Sequence, residues 1–108
     1  MEKKEIGYRG ETLAAHFLQS KGYEIVGNNF TVRGGEVDLV AQKDNQTIFV
    51  EVKTRSSETF GEGHESVGNY KKMHLLRAID RYITRLKDDS DYRVDLVEIN
   101  LDPQTHSL

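Results

Sequence analysis

The chain has 108 residues, of which 31% are charged and 36% hydrophobic, and this balance predicts one globular domain over residues 1–108. It contains no cysteine, which excludes disulfides and cysteine-ligated zinc, and its formal net charge of −3 does not by itself favour a nucleic-acid binder. No apolar run reaches about 18 residues and no signal-type segment follows the N-terminus, so we expect a cytoplasmic protein without a membrane partner.

Residues 5–21 are predicted to form a helix, because apolar residues recur at helical spacing and Lys21-Gly22 is a typical helix stop. A glycine inside a helix costs about 1 kcal/mol relative to alanine. We therefore expect Gly7 and Gly10 to mark a close approach to another backbone or to a ligand. Glu11 borders the buried stripe. It is either an ordinary acid near the helix N-terminus, where the helix dipole favours it, or a further carboxylate of a site.

Extended segments are predicted at residues 23–26 and 30–33, with a turn or bulge at 27–29 between them. After Gly34-Gly35, two runs rich in β-branched and apolar residues flank the polar tetrad 43–46, which is typical of a β-hairpin.

Folding the hairpin between Asp44 and Asn45 opposes residues whose numbers sum to 89, so that Asp38 meets Glu51. In this register Glu36 meets Lys53, and these four side chains share one face. The opposite face is predicted to be an entirely apolar core face, with Val37, Leu39, Ala41, Ile48, Val50 and Val52.

The polar face of this hairpin has the residue types of a metal site. Carboxylates of Asp38 and Glu51 about 5 Å apart repel each other unless a proton or cation lies between them. Such hard oxygen ligands suit Mg²⁺, with Mn²⁺ as a substitute. Lys53, two residues after Glu51, can hold an attacking water or stabilise phosphoryl charge. The alternative is a solvated strand face with cross-strand ion pairs, but acids placed between apolar strand residues favour a functional site.

Residues 54–66 are predicted to form a loop at the end of the second hairpin strand, and His64 within it is more typical of a loop histidine than of a ligand. Arg55 continues the polar face of Glu51 and Lys53, so we expect it to contact phosphate.

Residues 69–87 are predicted to form a second helix with Asn69 as its N-cap. Lys71 interrupts the apolar stripe of this helix. Either its stem packs while its amine reaches water, or it points into the site and meets phosphate. Together with Lys72 and the arginines that follow, it makes this helix the most basic part of the chain.

Residues 92–101 alternate as a strand, and the helix before them indicates a crossover to a parallel position in the same sheet. The predicted fold is therefore α/β, a three-layer α-β-α sandwich with a mixed sheet in the order α-β-β-β-α-β. Residues 102–108 are expected to be a frayed tail or a fragment of an edge strand.

Motifs along nearly the whole chain carry a resemblance to a known family. They are Gly7 and Gly10-Glu11, Gly22-Tyr23, Asn29, Gly35-Glu36-Val37-Asp38-Leu39-Val40, Phe49-Val50-Glu51-Val52-Lys53-Thr54-Arg55, Phe60-Gly61, Lys71 with Leu75, Ala78 and Tyr82, and Arg93-Val94-Asp95. In these residues the chain resembles the PD-(D/E)xK nuclease superfamily, which has the restriction-endonuclease-like fold. More closely, it resembles the YraN-type (UPF0102) family of predicted endonucleases, relatives of archaeal Holliday-junction resolvases.

The resemblance implies metal binding by Asp38 and Glu51, Lys53 beside the nucleophilic water, and Glu11 as a further acid. We expect the Val52 carbonyl to complete the metal site. The expected function is Mg²⁺-dependent, structure-selective hydrolysis of DNA phosphodiesters. The alternatives are a nucleic-acid-binding or protein-interaction module without useful catalysis, or a structural subunit that dimerises along its last strand or second helix. A homodimer and a protein partner that supplies specificity stay open.

Overall fold

The computed structural model describes residues 3–56, 69–87 and 89–101, with side chains described for 9–55, 71–87 and 89–100. These ranges contain helices α1 (Lys3–Ser20) and α2 (Asn69–Leu86) and strands β1 (Glu24–Val32), β2 (Gly35–Lys43), β3 (Gln46–Ser56) and β4 (Asp91–Leu101). None of the helices in the described ranges is long and apolar enough to cross a membrane.

The strands form one mixed sheet in the order β1-β2-β3-β4. The pairs β1–β2 and β2–β3 are antiparallel, whereas β4 returns through α2 to lie parallel to β3. Helix α1 packs on one face of this sheet and α2 on the other. The predicted α-β-α sandwich, its mixed sheet and its element order are confirmed.

Each face of the sheet carries its own apolar core. On the α1 face, the buried residues are Ala14, Leu18, Leu39, Ala41, Ile48, Val50 and Ile99. On the α2 face, they are Val37, Val40, Phe49, Ala78, Ile79 and Tyr82. The prediction of a single core face was therefore wrong in two respects. The second face is also covered, by α2, and Val37 lies in the α2 core rather than beside Leu39. Side-chain alternation along β2 thus breaks between Val37 and Leu39, at Asp38.

A two-residue loop fixes the register of the hairpin. Asp44 and Asn45 both have positive φ values, 51° and 61°, as a type I′ turn requires. The predicted register is confirmed from Lys43–Gln46 to Leu39–Val50, where the paired ladder between β2 and β3 ends.

Helix α1 ends where the sequence indicates. Gly22 adopts φ +92°, its amide donates to the Gln19 carbonyl at 3.0 Å, and the Tyr23 amide donates to the Leu18 carbonyl at 3.1 Å. These are the paired hydrogen bonds of a Schellman motif, in which glycine occupies the left-handed position.

Strand β1 is continuous, so the prediction of two separate segments was wrong. The predicted bulge is nevertheless present, because the register with β2 shifts between Ile25 and Gly27. Strand β3 continues to Ser56, beyond the predicted start of the loop at residue 54. The remainder of that loop with His64, the Asn69 side chain and the tail at 102–108 lie outside what the structure describes.

A close approach is present at Gly10, but to a side chain rather than to a backbone or a ligand, and the side-chain position of Gly7 lies outside what the structure describes. A Cβ atom at this position would collide with the Thr54 side chain, whose Cβ and Cγ2 atoms would both lie 2.9 Å away. The absence of a side chain at Gly10 therefore lets α1 sit directly on β3.

Replacing Gly10 with valine should lower the free energy of unfolding by about 1–3 kcal/mol, because the added atoms overpack the contact with Thr54. Urea unfolding followed by circular dichroism measures the change, and Gln19→Ala, an exposed site on the same helix, serves as control. A Gly10→Val protein as stable as the control would contradict the close packing.

Candidate functional site

Asp38 occupies the point where β2 and β3 separate. In the hairpin register, the next hydrogen-bonded pair after Leu39–Val50 would join Val37 to Val52. Instead, the Val52 amide donates to Asp38 Oδ2 at 2.8 Å. A side-chain carboxylate thus takes the place of a backbone acceptor, which keeps the Val52 amide satisfied while the strands diverge.

Strand β1, the other neighbour of β2, is also irregular beside Asp38. Asn28 pairs with Leu39 and Phe30 pairs with Val37, so Asn29 lies opposite Asp38. Asn29 has φ 53°, a left-handed conformation that asparagine tolerates better than most residues. Asp38 is therefore flanked on both sides by interruptions of regular pairing, and its half-buried side chain lies in an opening of the sheet.

Two glutamates converge on Asp38 from different elements. The pKa of Glu51 on β3 is raised to about 8, mainly by burial and also by the charge of Asp38 and a hydrogen bond with it, while the charge of Lys71 acts in the opposite direction. Burial likewise raises the pKa of Glu11 on α1 to about 7, again with the charge of Asp38 and a hydrogen bond with it. Protons shared among these carboxylates reduce the repulsion between them.

Glu36 is a fourth member of this group. Its negative charge contributes to the raised pKa of both Glu11 and Glu51. The predicted hairpin face includes Glu36 opposite Lys53 but gives it no role in the site, although Glu36 precedes Asp38 by two residues on one strand, a spacing that signals a shared location. We refer to Glu11, Glu36, Asp38 and Glu51 as the acid cluster.

The structure brings some of the predicted basic residues to the acid cluster and places others elsewhere. Lys71 on α2 has an exposed side chain, and its charge reaches Glu51. Lys53 follows Glu51 by two residues on β3 and is half-buried. Lys72 is exposed on α2. Arg55 Nε lies 3.3 Å from Glu98 Oε1 on β4 but has no hydrogen-bond partner among the described residues, so Arg55 forms only a loose ion pair.

The chemistry of the acid cluster fits a cation held by few protein ligands. Mg²⁺ is usually bound through one or two carboxylates, with waters completing its coordination. Asp38 and Glu51 supply two adjacent carboxylates, and a cation between them would relieve the repulsion that raises the pKa of Glu51. In the part of the chain that the structure describes, no three His, Cys, Asp or Glu side chains surround one metal position. Metal binding by Asp38 and Glu51 stays a prediction.

The fold and the acid cluster together define a class of protein, an α-β-α sandwich in which carboxylates from a helix and two strands meet where the sheet opens. Within that class, the chain belongs to the uncharacterised protein family UPF0102, whose family model matches residues 10–99.

Relatives from several bacteria support this membership. A UPF0102 protein of Caldicellulosiruptor saccharolyticus is 40% identical over 109 residues, covering 100% of this chain and 92% of the relative. One from Caldicellulosiruptor bescii is 44% identical over 104 residues, covering 94% and 87%. One from Caldanaerobacter subterraneus subsp. tengcongensis is 39% identical over 110 residues, covering 100% and 89%. The predicted family is confirmed, and these names assign no activity to it.

The raised pKa values predict how stability depends on pH. Glu51 holds a proton in the folded state up to about pH 8 but loses it near its ordinary value of 4.5 when unfolded. The folded state therefore binds more protons in this window, and the free energy of unfolding falls as pH rises through it. Glu51→Gln removes this titration, so we expect the variant to be more stable than the wild type at about pH 8.5 and to differ little at about pH 5.

Urea unfolding at both pH values measures the effect. Glu24→Gln is the matched control, because Glu24 is exposed at the far end of β1 from the acid cluster and pairs with Gln42. A wild-type protein whose stability rises between the two pH values would contradict the assigned pKa directions.

Proposed function

We propose that this protein is a Mg²⁺-dependent endonuclease that hydrolyses phosphodiester bonds in DNA of particular structure. The observation that carries the proposal is the position of the Asp38 carboxylate, fixed by the Val52 amide in the opening of the sheet and shared between Glu11 and Glu51. Adjacent carboxylates at a strand opening, followed by a lysine two residues later, suit hydrolysis of a phosphodiester.

Each residue of the site has a role in this proposal. Asp38 and Glu51 would hold Mg²⁺ together with the Val52 carbonyl, and Mg²⁺ when bound supplies an activated water and neutralises phosphate charge. Lys53 would orient the attacking water and stabilise charge that develops on the phosphoryl oxygens. Glu11, whose raised pKa lets it carry a proton near neutral pH, can give or accept that proton.

Helix α2 supplies the positive surface that a chain of net charge −3 needs in order to bind DNA. Its sequence contains five basic residues and one acidic residue. Lys71 and Lys72 are exposed at the end of α2 nearest to the acid cluster, as the effect of Lys71 on Glu51 indicates. Contacts to phosphate position a nucleic acid without reading its sequence, which favours selection by structure. Arg55 would join these contacts by exchanging Glu98 for phosphate.

The second candidate function is a nucleic-acid-binding module without useful catalysis. It is favoured by one observation, that in the ranges the structure describes no three His, Cys, Asp or Glu side chains surround a single metal position. Binding without cleavage would then depend on the basic surface of α2 and would be steeply sensitive to salt.

Replacing Asp38, Glu51 or Lys53 with alanine should reduce Mg²⁺-dependent cleavage by at least about 100-fold, because each change removes a charge that acts on the reacting phosphate. Branched, flapped and single-stranded DNA are the substrates to compare. Circular dichroism establishes that each variant is folded, and Glu24→Ala, on exposed β1 surface, is the control that should retain wild-type cleavage.

Undiminished cleavage by purified Glu51→Ala would contradict the assignment of the acid cluster as the active site. Salt-sensitive binding of these substrates with no cleavage in Mg²⁺ or Mn²⁺ would replace the nuclease with the binding module.

Replacing Lys71 or Lys72 with alanine should weaken DNA binding to a similar extent for different sequences. Each substitution should lower the slope of log affinity against log salt concentration by about 1, as expected for one phosphate contact. Fluorescence anisotropy at several salt concentrations measures the slope. Lys21→Ala is the control, because Lys21 follows α1 and lies over the Phe17 ring. Equal slopes for all three variants and the wild type would mean that DNA does not contact Lys71 or Lys72.

A further inference from the structure

Strand β4 presents an open, apolar edge of the described sheet. It lies last in the strand order and pairs with β3 over its whole length, from Gln46–Asp91 to Ser56–Leu101, without a register shift. Three large side chains on one of its faces are exposed to 58%, 45% and 58%: Tyr92, Val94 and Leu96. A long, regular and apolar edge strand is a template for pairing with another chain.

The opposite edge of the sheet differs in the features that prevent such pairing. Strand β1 carries a register shift between Ile25 and Gly27 and a left-handed residue at Asn29. Bulges of this kind twist an edge away from a partner. Strand β4 has no corresponding interruption, and its sequence from Asp91 to Leu101 contains neither lysine nor proline. The contrast indicates that the β4 edge serves for pairing.

The charges on β4 identify the partner that fits it. On the face opposite to Val94, Arg93 Nε lies 2.9 Å from Asp95 Oδ1, and Arg93 also donates to the Tyr23 hydroxyl at 3.3 Å. Arg93 and Asp95 lie symmetrically on either side of Val94, and their side chains are 44% and 34% exposed. Because Arg93 and Asp95 carry opposite charges on either side of Val94, the β4 sequence is complementary to a second copy of itself in the antiparallel direction.

We propose that β4 pairs antiparallel with β4 of a second copy of this chain, about a two-fold axis at Val94. In this register Val94 meets Val94 of the second copy, and Tyr92 meets Leu96 on the same face. On the other face Arg93 meets Asp95, twice by symmetry. Cross-strand apolar and opposite-charge pairs are the interactions that stabilise adjoining antiparallel strands. The interface follows from β4 alone and does not depend on the proposed nuclease activity.

Such a pairing would extend the two sheets into one, with the α2 helices of both copies on the same side. Glu51 lies beside Leu96 in the parallel ladder. Three strand spacings of about 4.8 Å and four residues of about 3.3 Å then separate the two Glu51 residues by about 20 Å in a flat sheet. If the acid cluster has its proposed function, the pair of copies presents two sites to one nucleic-acid molecule.

Single cysteines test the register directly, because the chain has no cysteine of its own. Residues opposed across two strands have Cα atoms about 4.5–5.5 Å apart, which is within disulfide range. We expect Val94→Cys to give a covalent dimer on mild oxidation. Tyr92→Cys and Leu96→Cys should each give little dimer alone but a mixed disulfide when combined. Thr31→Cys, exposed on β1, is the control for random collision.

Charge reversal tests the same pairing without a covalent bond. Arg93→Asp and Asp95→Arg should each weaken self-association at least tenfold in sedimentation equilibrium, since one variant presents two acids and the other two arginines. An equimolar mixture of these variants should restore association through heterodimers, which the loss of the ion pair within one chain cannot explain.

Three results would overturn the proposal. The first is a wild-type protein that sediments as a monomer at every concentration. The second is a Val94→Cys protein that is oxidised to dimer no faster than Thr31→Cys. The third is a charge-reversed mixture that associates no better than its components. Protection of the β4 amides from hydrogen exchange in a protein shown to be monomeric would mean that a segment of the same chain covers this edge.

Discussion

The hydrogen bond between the Val52 amide and the Asp38 carboxylate is the constraint on which the site depends. It terminates the ladder between β2 and β3 at Leu39–Val50 and leaves a carboxylate inside the sheet rather than on its surface. This partly buried acceptor is held by the Val52 backbone amide, which would otherwise lack a partner. Because the side-chain alternation of β2 breaks at Asp38, Glu11 on α1 and Glu51 on β3 can both interact with the Asp38 carboxylate.

Keeping these acids charged is unfavourable because they are close together and partly buried. Glu11 and Glu51 are partly removed from water, so their neutral forms are favoured near neutral pH. A positive charge brought to Asp38 would reverse that preference, and Lys71 already acts on Glu51 in this sense. The acid cluster is therefore prepared for a cation or for protons, and the two occupants compete. This competition connects the stability of the fold to the chemistry that we propose for it.

Local patterns in the sequence were enough to predict much of this structure. The turn at Asp44-Asn45 determines the hairpin register, which holds as far as Leu39–Val50, and alternation along the strands predicts Asp38 beside Glu51. The register could not reveal that β2 and β3 separate, because the separation depends on a side-chain contact beyond Leu39. For the same reason, regular alternation along β2 predicted Val37 on the same face as Leu39, whereas Val37 lies on the α2 face. The packing of α2 on the second face of the sheet could not be predicted from the strand patterns either, because it depends on contacts between residues of different elements.

The most direct test of the central claim is calorimetric titration of Mg²⁺ into the protein near neutral pH, in two buffers of different ionisation enthalpy. If Asp38 and Glu51 form a cation site, the wild type binds Mg²⁺ and releases protons, because the ion displaces those held by the raised pKa of Glu51. Asp38→Ala and Glu51→Ala should then lose both the heat of binding and the proton release. Binding that persists unchanged in both variants, or no binding by the wild type even with DNA present, would contradict the account.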